Sequence, residues 1–179
     1  HPSQPQRPMN DTAPAPRLQH LPMGWFAMIM GLTGLTIAWH KTEQILGLTI
    51  HFSPWLLILS TGLFMLLAGL YALKMVRYRG AALAEWTHPV KMHFVPTFSI
   101  AMILLSIAWM PLSPPYSRLL WIMGASLHLG LTLFVITQWM HQTKFEIVHL
   151  NPAWFIPVVG NILVPIAGVE HAPMAVSWF

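Results

Sequence analysis

The chain has 179 residues, 55% of them hydrophobic and only 8% charged, with nine Lys and Arg against five Asp and Glu and a formal net charge of +4. Soluble domains carry about 25% charged residues, so this composition sets a water-soluble fold aside. Cysteine is absent, which excludes disulfides, thiolate metal sites and cysteine catalysis. The cations fall between apolar stretches, so membrane topology accounts for them better than nucleic acid does.

Residues 1–19 are rich in Pro, Gln and Ser, carry Arg7, Asp11 and Arg17, and contain no apolar h-region. They predict a disordered cytoplasmic tail, not a signal peptide. The transmembrane domain takes up 20–179. Its charge-free cores run over 21–39, 54–73, 92–110, 119–140 and 151–168, each about 18 residues or longer and so able to cross a hydrocarbon layer roughly 30 Å thick. They predict spans at about 21–39, 54–75, 92–110, 118–140 and 152–169. Such runs are too long and too continuously apolar for barrel strands, and only helices otherwise satisfy their backbone in lipid. The fold class is an all-α, polytopic transmembrane helical protein. Residues 173–179 read as the start of a sixth helix, and with an opening at His1 the chain reads as a fragment.

Local signals agree with these boundaries. Pro54 suits a first helical turn, Ser113-Pro114-Pro115 marks a turn and helix start, and Asn151-Pro152 places Asn as N-cap before Pro. Trp39, Trp55, Tyr71, Tyr78, Trp86, Trp109, Tyr116, Trp121, Trp139 and Trp154 cluster near expected helix ends, the headgroup zone that amphipathic rings prefer. Arg7, Arg17, Lys74, Arg77, Arg79, Lys91 and Lys144 would share one side of the membrane, with Lys41 and Arg118 on the other. The positive-inside rule then puts the N-terminus in the cytoplasm.

Odd and even spans differ in proline. The first carries Pro22, the third Pro96 and the fifth Pro152, Pro157 and Pro165, whereas the even spans have only Pro54 at a start. Proline inside a membrane helix frees a carbonyl, which is tolerated where neighbours or a cavity satisfy it. The alternation predicts an inner ring of odd helices and an outer, lipid-facing ring of even ones. The competing explanation is that Gly and Pro are common in membrane helices and favour close packing. The uncharged spans disfavour proton-coupled pumps and cation pathways. A path lined by small and apolar groups suits anions or neutral solutes, with Lys91, Lys74, Arg77 and Arg79 drawing anions to the cytoplasmic mouth.

Ten histidines raise a metal or haem reading. His128 and His141 lie about 20 Å apart along the fourth helix and on different faces, and no second helix supplies the matching pair that two haems would need. A histidine-ligated membrane cytochrome stays a distant alternative. For catalysis, Glu85, Glu146 and Glu170 stand isolated and no nucleophile has a base. We expect no enzyme, cofactor or metal site.

Leu21-Pro22-Met23-Gly24-Trp25-Phe26-Ala27-Met28-Ile29-Met30-Gly31-Leu32, Glu85-Trp86-Thr87-His88-Pro89-Val90-Lys91 with Phe94-Val95-Pro96, and Asn151-Pro152-Ala153-Trp154-Phe155-Ile156-Pro157-Val158-Val159-Gly160 resemble the family of plant slow-type anion channels, bacterial tellurite-resistance proteins and fungal dicarboxylate transporters. The resemblance implies a ten-helix protein of five hairpins around a central pore, commonly a homotrimer, of which this chain is the first half. It implies partners among small inorganic or dicarboxylate anions and membrane lipid, and a multi-pass location in a bacterial inner membrane. Members conduct chloride or nitrate, move C4-dicarboxylates such as malate, or are linked to tellurite resistance. Channel and gradient-driven carrier both stay open. The family's gate is a phenylalanine on the ninth helix, beyond this chain. Carried over by position, the lining comprises Gly24, Phe26, Met28 and Gly31; Lys91, Phe94, Pro96 and Ser99; and Pro157, Gly160, Asn161 and Pro165. Phe26 and Phe94 also suit packing, Lys91 also suits snorkelling to headgroups, and Asn161 suits either an anion or a neighbouring helix.

Overall fold

The computed structural model describes residues 17–88, 90–141 and 152–173. Two 3₁₀ turns, Arg17–His20 and Met23–Trp25, lead into α1 (Phe26–Leu46). Then come α2 (Ser53–Arg77), the short α3 (Arg79–Thr87) and a 3₁₀ turn, Lys91–Phe94, that feeds α4 (Thr97–Trp109). The last two helices are α5 (Pro114–His141) and, after a turn at Pro152–Phe155, α6 (Ile156–His171). No strand occurs among the described residues, and the protein is an all-α polytopic membrane protein. Pro54 and Pro114 stand in the first turns of α2 and α5, as the sequence requires.

Four segments are long and apolar enough to cross a bilayer: Ser53–Arg77, Lys91–Trp109, Pro114–His141 and Pro152–His171. These are the second to fifth expected spans. The first departs from expectation: its apolar stretch is divided between the Met23–Trp25 turn and α1, and α1 runs beyond residue 39 through His40, Lys41 and Glu43. The Arg17–His20 turn lies in the last residues of the expected tail. Residues 1–16, Lys144, Glu146, Asn151 and 174–179 lie outside the described residues.

The α1–α2 connection shows how a hairpin is closed at the membrane edge. Gly47, at φ 60°, takes the left-handed conformation that ends α1, and its N–H returns to the Glu43 carbonyl. The Glu43 carboxylate accepts from the backbone N–H of Phe52 and Ser53 and from the Ser53 hydroxyl, so it supplies the N-terminal cap that α2 lacks from its own first residues. Burial alone would raise its pKa, but the Ser53 hydroxyl, the two amides and His51 outweigh that and hold it down at about 2.

α4 is the hub on which α1, α2, α5 and α6 all pack. Its span is 72% buried, against 28–33% for the other three. The third span, expected in the inner ring, is thus the most buried of the four. α6 uses one face, through Pro157, Gly160, Val164 and Ala167, and leaves Val158, Val159, Ile162 and Ile166 exposed. Where α1, α2 and α4 meet, Phe26 sits edge-on to Phe64, Tyr71 and Phe98, with ring centroids 5.9, 6.4 and 5.1 Å away. Polar side chains tie other helices together. Trp109 Nε1–H donates to Thr61 across 3.0 Å and Trp121 Nε1–H to the Val164 carbonyl across 2.8 Å. These rings serve inter-helix contacts as well as the interface expected of them.

Candidate functional site

At one end of the bundle the first two sequence motifs interlock through a buried ion pair. Lys74 Nζ lies 2.9 Å from Glu85 Oε2, with both side chains almost wholly buried. The ammonium also donates to the Leu21 carbonyl, and Glu85 Oε1 accepts the Met23 N–H. Tyr71 reaches the same carboxylate at 3.4 Å and accepts from Trp86 Nε1–H at 3.2 Å. One lysine and one glutamate thus pin the Leu21–Met23 entrance, α2 and α3 together. Two expectations are corrected here. Glu85 is not isolated, and Lys74 is not available to attract anions, because its charge is neutralised at contact distance inside the protein.

The rest of the second motif builds the turn ahead of α4. α3 ends where His88 adopts an extended ψ of 131°, the conformation forced on a residue that precedes proline. His88 Nδ1 then accepts the N–H groups of Val90 and Lys91, capping the Lys91–Phe94 turn. His93, on that turn, is fully buried and packs against two indoles, with centroids 5.7 Å from Trp139 and 5.2 Å from Trp154, which themselves stack at 5.6 Å. Trp139 Nε1–H donates to His93 Nε2 across 2.8 Å, so Nδ1 carries the proton and donates to the Val90 carbonyl. Trp154 belongs to the third motif, so all three motifs meet around one turn. Beside them a polar cleft of about 300 Å³ is lined by His20, Lys74, Glu85, His88 and Lys91. Lys91 is exposed on it.

Deeper, a second polar knot joins α4, α5 and α6. His128 is fully buried, 2.9 Å from the Ser99 hydroxyl through Nδ1 and 3.0 Å from the Pro157 carbonyl through Nε2. Nε2 must donate to that carbonyl, and the one Ser99 hydroxyl hydrogen is shared between Nδ1 of the neutral ring and the Pro96 carbonyl 2.8 Å away. Thr132 and Asn161 also donate to the Pro157 carbonyl, at 3.3 and 3.2 Å. Gly160 faces the imidazole: a Cβ there would overlap Cε1 and Nε2 of His128 and lie 2.8 Å from Cγ1 of Ile100. The glycine is what lets α6 approach.

The twelve residues expected along a pathway divide into three groups. Met28 and Gly31 lie on the open face of α1, and Lys91 is exposed at the cleft. Gly24 and Phe94 are half-buried against each other, 3.6 Å from a Cβ position on Gly24 to the ring, and Asn161 and Pro165 are half-buried on α6. Phe26, Pro96, Ser99, Pro157 and Gly160 are buried in contacts between helices. Phe26 is a packing residue, and Ser99, Pro157 and Gly160 serve the His128 knot. Among the described residues, the Asn161 amide donates to the carbonyl one turn back in its own helix. Sequence reasoning passed over Glu43, Lys74–Glu85, His93 and His128 as site-builders. A glutamate in an otherwise apolar neighbourhood and a histidine alone in a span were the available signals.

Residues 20–178 match the family model described as voltage-dependent anion channel (SLAC1). The chain belongs to the voltage-dependent anion channel family. Relatives agree with that membership. An uncharacterized transporter of Methanocaldococcus jannaschii is 31% identical over 84% of this chain and 45% of its own length. A tellurite resistance protein TehA homolog of Haemophilus influenzae is 30% identical over 84% of this chain and 45% of its own. An S-type anion channel of Arabidopsis thaliana is 24% identical over 87% of this chain and 26% of its own. The chain spans less than half the length of these relatives. Family members are membrane-embedded, multi-pass anion channels or transporters and not enzymes.

Proposed function

We propose that this chain supplies the first half of a transmembrane pathway for small anions such as chloride and nitrate, with Lys91 at its mouth. The observation that carries the reading is the contrast between two lysines lining one cleft. Lys74 is neutralised by Glu85, whereas Lys91 is exposed and has no carboxylate partner among the described residues. An unpaired ammonium at a polar mouth raises the local anion concentration. Beyond it, the open face of α1 is apolar or small, with Ala27, Met28, Gly31, Gly34 and Ala38 exposed, a lining that puts no carboxylate in the way of an anion. The sign preference of the mouth and the uncharged wall work in the same direction.

One relative is named for tellurite resistance and another as an anion channel, and we include tellurite among the candidate anions. C4-dicarboxylates belong to the same proposal. So do assembly as a homotrimer, a bacterial inner membrane and a cytoplasmic N-terminus, the last supported by the Lys and Arg bias. The test is current across liposomes containing the full-length protein while chloride, nitrate and malate are exchanged. Anion-selective ohmic current that falls several-fold in Lys91→Ala is the expected result. Saturable, gradient-dependent uptake of malate or tellurite without current would replace the channel by a carrier.

A further inference from the structure

On one face of the bundle, α2 and α5 both pack against α4 but leave a groove between them. Its lower part, about 230 Å³, has Ala68 and Ala72 on the α2 wall, Leu127 and Leu131 on the α5 wall, and Phe98 of α4 as floor. Two alanines hollow one wall of a helix otherwise rich in leucine. Its upper part, about 360 Å³, runs past Val76, Ala82 and Leu83 to Arg79 at the start of α3. Met75 and Trp86 line both parts, so the two adjoin. Trp86 is fixed where the two parts meet, by its N–H to Tyr71 and by its ring against Phe134 at 5.9 Å. The upper volume alone falls within the roughly 300–1,000 Å³ of small-ligand clefts.

We propose that this groove binds one anionic glycerophospholipid, with an acyl chain between α2 and α5 and the phosphate against Arg79. The order of chemistry along the groove carries the assignment. Its deep part is apolar and lies within two membrane-spanning helices, and its outer end carries a guanidinium, which matches a phosphate in charge and in donor geometry. Arg77 lies two residues away, exposed at the end of α2, and adds to the attraction of an anionic headgroup at the interface. An amphipathic indole at the boundary is where tryptophan prefers to sit. A helix of a second copy would match the apolar part of this groove but would leave the arginine without an anion.

The experiment uses the full-length protein with phosphatidylglycerol or phosphatidylcholine carrying a photoreactive diazirine in mid-chain, and maps the labelled residues by mass spectrometry. Labelling should concentrate on Ala68, Ala72, Leu127 and Leu131, with phosphatidylglycerol favoured about fivefold, the effect of one basic contact near the surface. Arg79→Ala should remove most of that preference, leaving the weaker pull of Arg77, and Ala72→Trp should block labelling by filling the groove, whereas Leu59→Trp, at an exposed position of α2, should not. Arg79 is exposed, so its variant keeps the test open if the tryptophan fails to fold. Equal labelling by both lipids, unaffected by Arg79→Ala, would overturn the proposal in favour of ordinary boundary lipid. Oxidative cross-linking of Ala72→Cys between two copies, with no lipid label, would overturn it in favour of a subunit interface.

Discussion

At the scale of single residues, the strongest constraints are polar groups that have no alternative partner. Lys74 and Glu85 together satisfy Leu21 and Met23, so each side chain is needed by more than its ionic partner. Removing one member of a buried pair leaves an uncompensated charge, and Lys74→Met should destabilise the fold by about 3–5 kcal/mol. Neutralising both, as Lys74→Met with Glu85→Gln, should recover part of that loss. Thermal unfolding in detergent reads both variants, and equal stability of the single variant and the parent would refute the assignment. Gly160→Ala makes a different kind of error: the new methyl displaces the His128 ring from Ser99 and Pro157. Overpacking of this kind costs about 1–3 kcal/mol, and the same unfolding assay should show it.

Among elements, the α1–α2 hairpin depends on one carboxylate at a helix start. Glu43 has a folded pKa of about 2, below its ordinary 4.5. A depressed carboxylate contributes stability that is fully present above the unfolded value and is lost as pH falls through the folded one. Stability should therefore decline between about pH 4.5 and about pH 2, and Glu43→Gln should flatten that part of the profile while lowering stability at neutral pH. A profile that is unchanged in the variant would show that other carboxylates set it. The short α3 has a separate role. His88 before a proline stops it, and the imidazole then starts the next turn, so the motif Glu85-Trp86-Thr87-His88 reads as the joint between the second and third spans.

For the whole molecule, the Lys and Arg bias predicts loops that alternate across the bilayer, and the sequence bears no cysteine, so single introduced cysteines report sides cleanly within this chain. Lys41→Cys, in the last turns of α1, and Arg77→Cys, at the end of α2, should react with a membrane-impermeant maleimide from opposite faces, Arg77→Cys from the cytoplasmic one. Labelling of both from one face would overturn the topology. The helices themselves were legible because charge-free runs of bilayer length have no other stable form. Proline grouped the first, third and fifth spans as an inner ring; that α4 is the hub among the described helices came from burial and packing, a rank proline number does not give, since α6 holds more prolines.

Composition and hydropathy by themselves determined that the chain is helical, polytopic and embedded in a membrane, because in lipid an unpaired backbone group is too unfavourable to leave. The three motifs, read as a resemblance, pointed to the family. Tertiary structure decided what the motifs are for. Glu85 gained its meaning from Lys74 eleven residues earlier and from Met23 sixty-two residues earlier, and His128 from Ser99 and Pro157, each twenty-nine residues away. Such pairings depend on which helix faces lie together, and periodicity along one helix carries no information about its neighbour. For the same reason Phe26 and Lys91 were ambiguous in sequence: the first packs in an aromatic cluster, and the second is exposed beside the polar cleft.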